Sequence, residues 1–281
     1  MNRIAWSIMA ACSLSGFRAE AQHDLVYRVP HMEEVIVRSN LVYKSTSNAT
    51  LKADLYLPRT VSSNAALPAV LFVLGDAEPE RLRNAKDWKF FQSYGRLAAT
   101  SGYIAVTFNH RSSENFRKLS EVRSDIDDLV GYVRGHAREL NVDKDRLCLW
   151  FFSGSGPHLR LAMGENTNFV RCLVAYYPLL SAPPGAKGEI EYSSVEQLKR
   201  NAPRVPPILL VKARRDGPVL NGLIDEFRKA ASAARVPLEY LEHPTGGHAF
   251  DILNDDDMSR KIIRQTLEFI RAQLPPVTPS D

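Results

Sequence analysis

Cysteine is scarce, with Cys12, Cys148 and Cys172 the only three in 281 residues. So few cannot build a disulfide scaffold, and no Cys/His spacing suits structural zinc. Cys148 and Cys172 each sit in an apolar, strand-like run and read as small buried hydrophobes. A charge excess of one sign is also lacking. Lys and Arg number 36 against 32 Asp and Glu, a net charge of +4 with both signs scattered. No basic stripe carries interleaved aromatics, which excludes a nucleic-acid surface. The acidic run from Asn254 to Asp257 reads as helix capping and dipole compensation rather than a cation site. Long apolar runs are missing too. The stretch Ile4 to Leu14 is too short to anchor the chain across a bilayer. There is no internal repeat and no linker-like break in composition.

What is present is ordinary globular composition, 44% hydrophobic and 24% charged. That suits one large α/β domain or two small ones. Asn2 and Arg3 precede the apolar stretch, and Ala19-Glu20-Ala21 follows it. A basic start, a short apolar core and an Ala-x-Ala end read as a secretory signal peptide, residues 1–21, cleaved before Gln22. The expected location is therefore secreted or periplasmic. Met9-Ala10-Ala11-Cys12 loosely resembles a lipoprotein box and is the lesser alternative.

The segments 33–38 (EEVIVR) and 50–57 (TLKADLYL) alternate in polarity. They predict an antiparallel pair with a turn over 45–49. Continuous apolar runs at 69–74, 103–108, 147–152 and 170–177 predict buried strands, with shorter strands at 208–211 and 238–241. Residues 77–87 read as a loop. Helices are expected over 88–100, 120–140, 194–201, 220–234 and 258–274, and residues 275–281 as a disordered tail. Strands alternate with helices after Ala69. This predicts one doubly wound domain, residues 22–274, with a mainly parallel eight-stranded sheet and helices on both faces. Right-handed crossovers gather the strand C-termini on one edge, where sites collect.

The stretch Leu147 to Leu161, LCLWFFSGSGPHLRL, carries the chemistry. A buried strand stops at serines among glycines, then starts a helix, which is the layout of a nucleophile elbow. A serine hydroxyl attacks well only when it stands at a sharp turn, open to a base. Ser153 is preferred over Ser155, because Pro157 fits poorly at the flank that Ser155 would need. Gly75, Ser153, Asp216 and His248 each fall just after a predicted strand. In that order they supply an oxyanion loop, a nucleophile, an acid and a base. The amide of Gly154 and an amide near Gly75-Asp76 are the expected oxyanion donors. Asp251 and Asp225 are rival acids, the first only three residues past His248 and the second inside a helix. His110, ending a strand on the same edge, and Tyr177 are candidates to line the pocket. His158 is expected to pack behind the elbow.

The segments AVLFVLGD, GYIAVTFNHR, RLCLWFFSGSGPHL, ILLVKARRDGPVLN and HPTGGHAFD resemble the α/β-hydrolase superfamily. Within it they are most similar to the dienelactone hydrolase-like, small-esterase branch. The resemblance spans roughly residues 33 to 274. It implies Ser153 as nucleophile, Asp216 as acid and His248 as base, with Gly75-Asp76 as the oxyanion loop and no metal or organic cofactor. Three residues depart from the pattern. Leu74 replaces the loop His, while Phe151 and Ser155 replace the two elbow glycines. Serine at the elbow, where the dienelactone enzymes have cysteine, favours ester hydrolysis. The stretch from Tyr177 to Ile208 leaves little room for a large lid, which argues against a lipase. The expected substrate is a small-molecule or polymer-linked ester, short-chain or carbohydrate-linked. The alternatives are a non-catalytic binding protein of this fold, which the eroded motif favours, and a prolyl-oligopeptidase-like peptidase, for whose propeller the chain has no room.

Overall fold

The computed structural model describes residues 22–60 and 65–276. The expected leader (1–21), residues 61–64 and most of the expected tail (277–281) lie outside the described residues. Pro275 and Pro276 are described, and Arg146 Nη2 donates to the Pro275 carbonyl oxygen.

The alternating segments form β1 (Ile36–Ser45) and β2 (Thr50–Leu57), paired antiparallel from Ile36 opposite Leu57 to Ser45 opposite Thr50. β1 begins later than expected and runs further, because Met32–Glu34 coil into a 3-10 turn. Its alternation breaks where Asn40 takes a φ of 63° and donates its N–H to Asp54 Oδ1 at 2.7 Å. The continuous apolar runs form β3 (Leu67–Val73), β4 (Ile104–Phe108), β5 (Val142–Phe152), β6 (Val170–Tyr176), β7 (Ile208–Ala213) and β8 (Leu238–His243). The sheet has eight strands in the order β1-β2-β4-β3-β5-β6-β7-β8. The β1–β2 and β2–β4 pairs are antiparallel, and every other pair is parallel. The C-terminal ends of β3 to β8 therefore share one edge.

The helices are α1 (Pro79–Leu82), α2 (Lys89–Thr100), α3 (Leu119–Gly135), α4 (Ser194–Asn201), α5 (Pro218–Ala233), α6 (Phe250–Leu253) and α7 (Asp257–Gln273). They cover both faces of the sheet. Side chains along a strand point alternately up and down, so Leu147, Leu149 and Phe151 of β5 join one core with Val122, Ile126 and Leu129 of α3 and Phe227 of α5. Cys148, Trp150 and Phe152 join the other, with Phe91 and Tyr94 of α2 and Ile262 and Ile263 of α7. This two-sided burial explains why the central strands read as unbroken apolar runs.

Three local departures have physical causes. α3 stops at Gly135, short of the expected Leu140, and the chain leaves through single hydrogen-bonded turns to Asn141, whose φ is 59°. Residues 77–87, expected as loop, contain α1 and a 3-10 turn at Ala85–Asp87, with Pro79 starting α1 where its missing N–H costs nothing. The segment after the elbow is a 3-10 helix, Ser153–Ala162, with Pro157 inside it. Asp256 caps α7 by accepting from Ser259 N at 2.8 Å, as capping of this acidic run requires.

Candidate active site

β5 delivers Ser153 to the C-terminal edge of the sheet. Its φ is 49°, a left-handed value that costs a non-glycine residue on the order of 1–3 kcal/mol. Neighbouring strands hold that strain in place. Val73 pairs with Phe151 on one side and Phe152 with Tyr176 on the other. Phe151, where the family pattern has glycine, is fully buried and points into the core beneath α3, so it leaves the turn clear. Ser155 is buried. Its Oγ accepts from Phe152 N at 2.9 Å and lies 2.8 Å from Phe152 O and 3.0 Å from Val73 O. It laces the ends of β5 and β3 together and has no path to a substrate.

The loops after β7 and β8 bring the other two groups. Ser153 Oγ lies 2.8 Å from His248 Nε2, and His248 Nδ1 lies 2.6 Å from Asp216 Oδ2. A carboxylate only accepts, so Nδ1 carries the proton. Nε2 is then the acceptor, and the Ser153 hydroxyl donates to it. Asp216 Oδ1 also accepts from Gly217 N at 3.0 Å, which fixes the carboxylate. The His248 side chain is 26% exposed and that of Asp216 11%, so the imidazole faces the opening and the carboxyl lies behind it. The rival acids are engaged elsewhere. Asp225 binds Lys212 Nζ at 2.8 Å, and Asp251 accepts from Tyr94 and Tyr177.

The loop after β3 packs directly on the elbow. A Cβ on Gly75 would lie 3.0 Å from Phe152 O and 3.2 Å from Gly154 N, and one on Gly154 would lie 2.9 Å from Asp76 N. Only glycine permits this approach, and it sets the amides of Asp76 and Gly154 side by side near Ser153. The Asp76 carboxylate turns away, accepting from Ser113 N at 2.8 Å and from Ser113 Oγ. The side chain thereby anchors the loop and leaves the amide to the site.

His110, expected at the pocket wall, is instead 3% exposed. Its Nε2 lies 3.1 Å from the Leu74 carbonyl and its Nδ1 2.7 Å from that of Arg111. It braces the Leu74–Gly75 loop from below, at the level where Leu74 departs from the family's His. Tyr177 is also buried, at 3% exposure, but its ring faces the site, with its centroid 4.5 Å from that of His248. His158 packs behind the elbow against Tyr192, and burial pushes its imidazole down to about 3, with the charges of His110, Arg123 and Arg160 adding to the shift. Cys148 and Cys172 are buried, unbridged and opposite each other in β5 and β6. Among the described residues no cluster of His, Cys, Asp and Glu could hold a metal, and no helix is long and apolar enough to cross a membrane. Sequence reasoning missed Ser112 and Ser113, which hold Asp76 from the loop after β4. Two serines in a polar loop carry no periodic signal.

A sheet of this order, with a left-handed serine after its fifth strand facing a histidine and an aspartate from later loops, is the α/β-hydrolase fold. Residues 53–178 match the model of the BD-FAE family, an α/β-hydrolase family. That span takes in the Gly75 loop and the elbow but ends before Asp216 and His248. No curated protein matches the chain in sequence. Among solved structures, native esterase 2 of the planctomycete Thermogutta terrifontis superposes with a TM-score of 0.69 at 18% identity, covering 89% of this chain and 97% of that one. The same esterase phosphorylated by paraoxon gives 0.68 at 20% identity, covering 89% and 100%. With butyrate bound it gives 0.66 at 18%, covering 90% and 98%. At this identity the likeness is one of fold.

Proposed function

We propose that the chain is a serine hydrolase of carboxylic esters, of the dienelactone hydrolase-like, small-esterase kind. One observation carries the reading: a serine held at a φ of 49° with its hydroxyl 2.8 Å from an imidazole whose other nitrogen meets a carboxylate at 2.6 Å. Strain of that kind persists only where the surroundings enforce it, and it collects at functional sites. In this mechanism Ser153 Oγ attacks the ester carbonyl carbon while its proton passes to His248 Nε2. Asp216 holds the ring and stabilises the imidazolium. The amides of Asp76 and Gly154 bind the oxyanion. Collapse of the tetrahedral intermediate sends the His248 proton to the leaving alkoxide and leaves an acyl-enzyme on Ser153. Water, deprotonated by the same imidazole, releases the acid.

The fold relatives support small acyl groups, since the Thermogutta esterase binds butyrate and propionate. A short-chain ester, free or attached to a polymer such as a carbohydrate, is the proposed substrate. Export through the leader in residues 1–21 is proposed with it, from the basic, apolar and Ala-x-Ala pattern alone.

The test is labelling of the purified protein with a fluorescent fluorophosphonate, beside Ser153→Ala and Ser155→Ala. Label is expected on the wild type and on Ser155→Ala, and none on Ser153→Ala. Hydrolysis of a small aryl ester by Ser153→Ala should fall on the order of 10⁴-fold or more. A folded wild type that takes no label would instead favour a binding protein of this fold.

A further inference from the structure

His248 has a hydrogen-bond partner at each ring nitrogen, Asp216 Oδ2 at 2.6 Å and Ser153 Oγ at 2.8 Å. Such bonds set the ring's two ends more firmly than its tilt about the axis joining them. Proton transfer from Ser153 and then to a leaving group needs that plane held. The ring of Tyr177 packs against the imidazole at 4.5 Å between centroids, inclined by 55°, and so bears on its tilt.

Tyr177 is itself held in an unfavourable conformation. It follows β6 with a φ of 37°, and Ala249, next to His248, has a φ of 57°. Its backbone N–H donates to Val211 O at 2.8 Å, and its hydroxyl donates to Asp251 Oδ1 at 2.7 Å. Asp251 is fully buried. Its other oxygen accepts from Tyr94 of α2 at 2.6 Å, and its carbonyl accepts from Val26 N at 3.0 Å. A carboxylate with no exposure is costly unless it is satisfied, yet here it stands three residues past the histidine and ties that loop to two tyrosines from separate elements. Burial pushes its carboxyl up, while the phenols and the nearby His248 pull it down.

We infer that Tyr177, locked by Asp251, is a positioning residue that holds the face of His248, and that Asp251 serves the base through it rather than as a rival acid. This rests on the reading of His248 as the base.

The test compares Tyr177→Phe and Asp251→Asn with Tyr176→Phe. Tyr176 is an adjacent, fully buried tyrosine whose hydroxyl bonds Thr266 Oγ1 at 2.7 Å, so its loss matches the lost phenol bond without touching Asp251. Two readouts are taken. The first is kcat and KM on an aryl ester. The second is the downfield NMR proton of His248 Nδ1, recorded in a Ser153→Ala background so that it needs no turnover. Tyr177→Phe and Asp251→Asn are expected to lower kcat about tenfold with KM within about twofold, and to shift or broaden the proton. Tyr176→Phe should do neither at an equal loss of thermal stability. If the proton is unmoved in Tyr177→Phe, or if all three variants lose kcat alike, Asp251 and Tyr177 are structural and the inference fails. A wild type without esterase activity would defeat the esterase reading alone, because the proton still reports on the ring.

Discussion

Ser153, Tyr177 and Ala249 hold φ values of 49°, 37° and 57°, and all three meet at His248: the first by a hydrogen bond, the second by its ring and the third as its chain neighbour. Ser153 O accepts from Leu179 N and Tyr177 N donates to Val211 O, both at 2.8 Å and both between residues far apart in the chain, which is why this strain could not be read from local sequence. His158 is a residue-scale feature of another kind. It is buried, its Nδ1 has no hydrogen-bond partner among the described residues, and its imidazole is pushed down to about 3 from an ordinary 6.5. The unfolded chain therefore takes up a proton that the folded protein refuses between those values. Stability should fall as pH drops through that window, by up to about 1.4 kcal/mol per pH unit. Urea midpoints of the wild type and His158→Leu between pH 7 and pH 5 test this. The variant's midpoint should fall less steeply, and parallel curves would remove His158 as the cause.

At the scale of elements, the joint between β5 and the 3-10 helix decides the site. Gly156 sits where a Cβ would lie 2.2 Å from Leu179 O, a backbone atom, whereas nothing lies within 4 Å of a Cβ on Gly164 two residues past that helix. The close approach lets Leu179 N donate to Ser153 O at 2.8 Å and Ser194 Oγ to Gly156 O at 2.9 Å. Gly156→Ala should therefore lower stability by roughly 1–3 kcal/mol and reduce fluorophosphonate labelling, while Gly164→Ala leaves both near wild type. Thermal melts with parallel labelling measure it. The apolar run LCLWFF revealed the core of β5, but its early residues, Val142 to Arg146, are polar enough to hide the strand's true length. The helix after the elbow was legible. Its 3-10 winding was not, because it follows from Pro157 and from the packing of Gly156 on Leu179 rather than from a period in the sequence.

At the scale of the molecule, Asp125 joins three elements. It is fully buried on α3 and binds Arg111 Nη2 at 2.7 Å, from the loop after β4, and Lys44 Nζ at 2.7 Å, from β1. Burial would raise its carboxyl, but the bonds from Arg111 and Lys44 outweigh it and hold the group below the ordinary range. A depressed carboxyl contributes stability that is present above its unfolded value and is lost as pH falls through the folded one. Asp125→Asn should cost about 3 kcal/mol at pH 7, and the gap to wild type should close as pH falls below about 4; denaturant titrations at both pH values check it. The sequence by itself determined the eight strands, the alternation of strand and helix, and the order Ser153, Asp216, His248, because two-sided burial and turn chemistry leave local, periodic marks. It also marked the Gly75 and Gly154 turns. Tertiary structure alone set the Ser153 hydroxyl against His248 and buried that of Ser155, turned Asp251 to two tyrosines, and moved His110 from a wall to a brace. Those choices depend on which side chains from distant strands meet at one edge of the sheet, and contacts of that kind have no period along the chain.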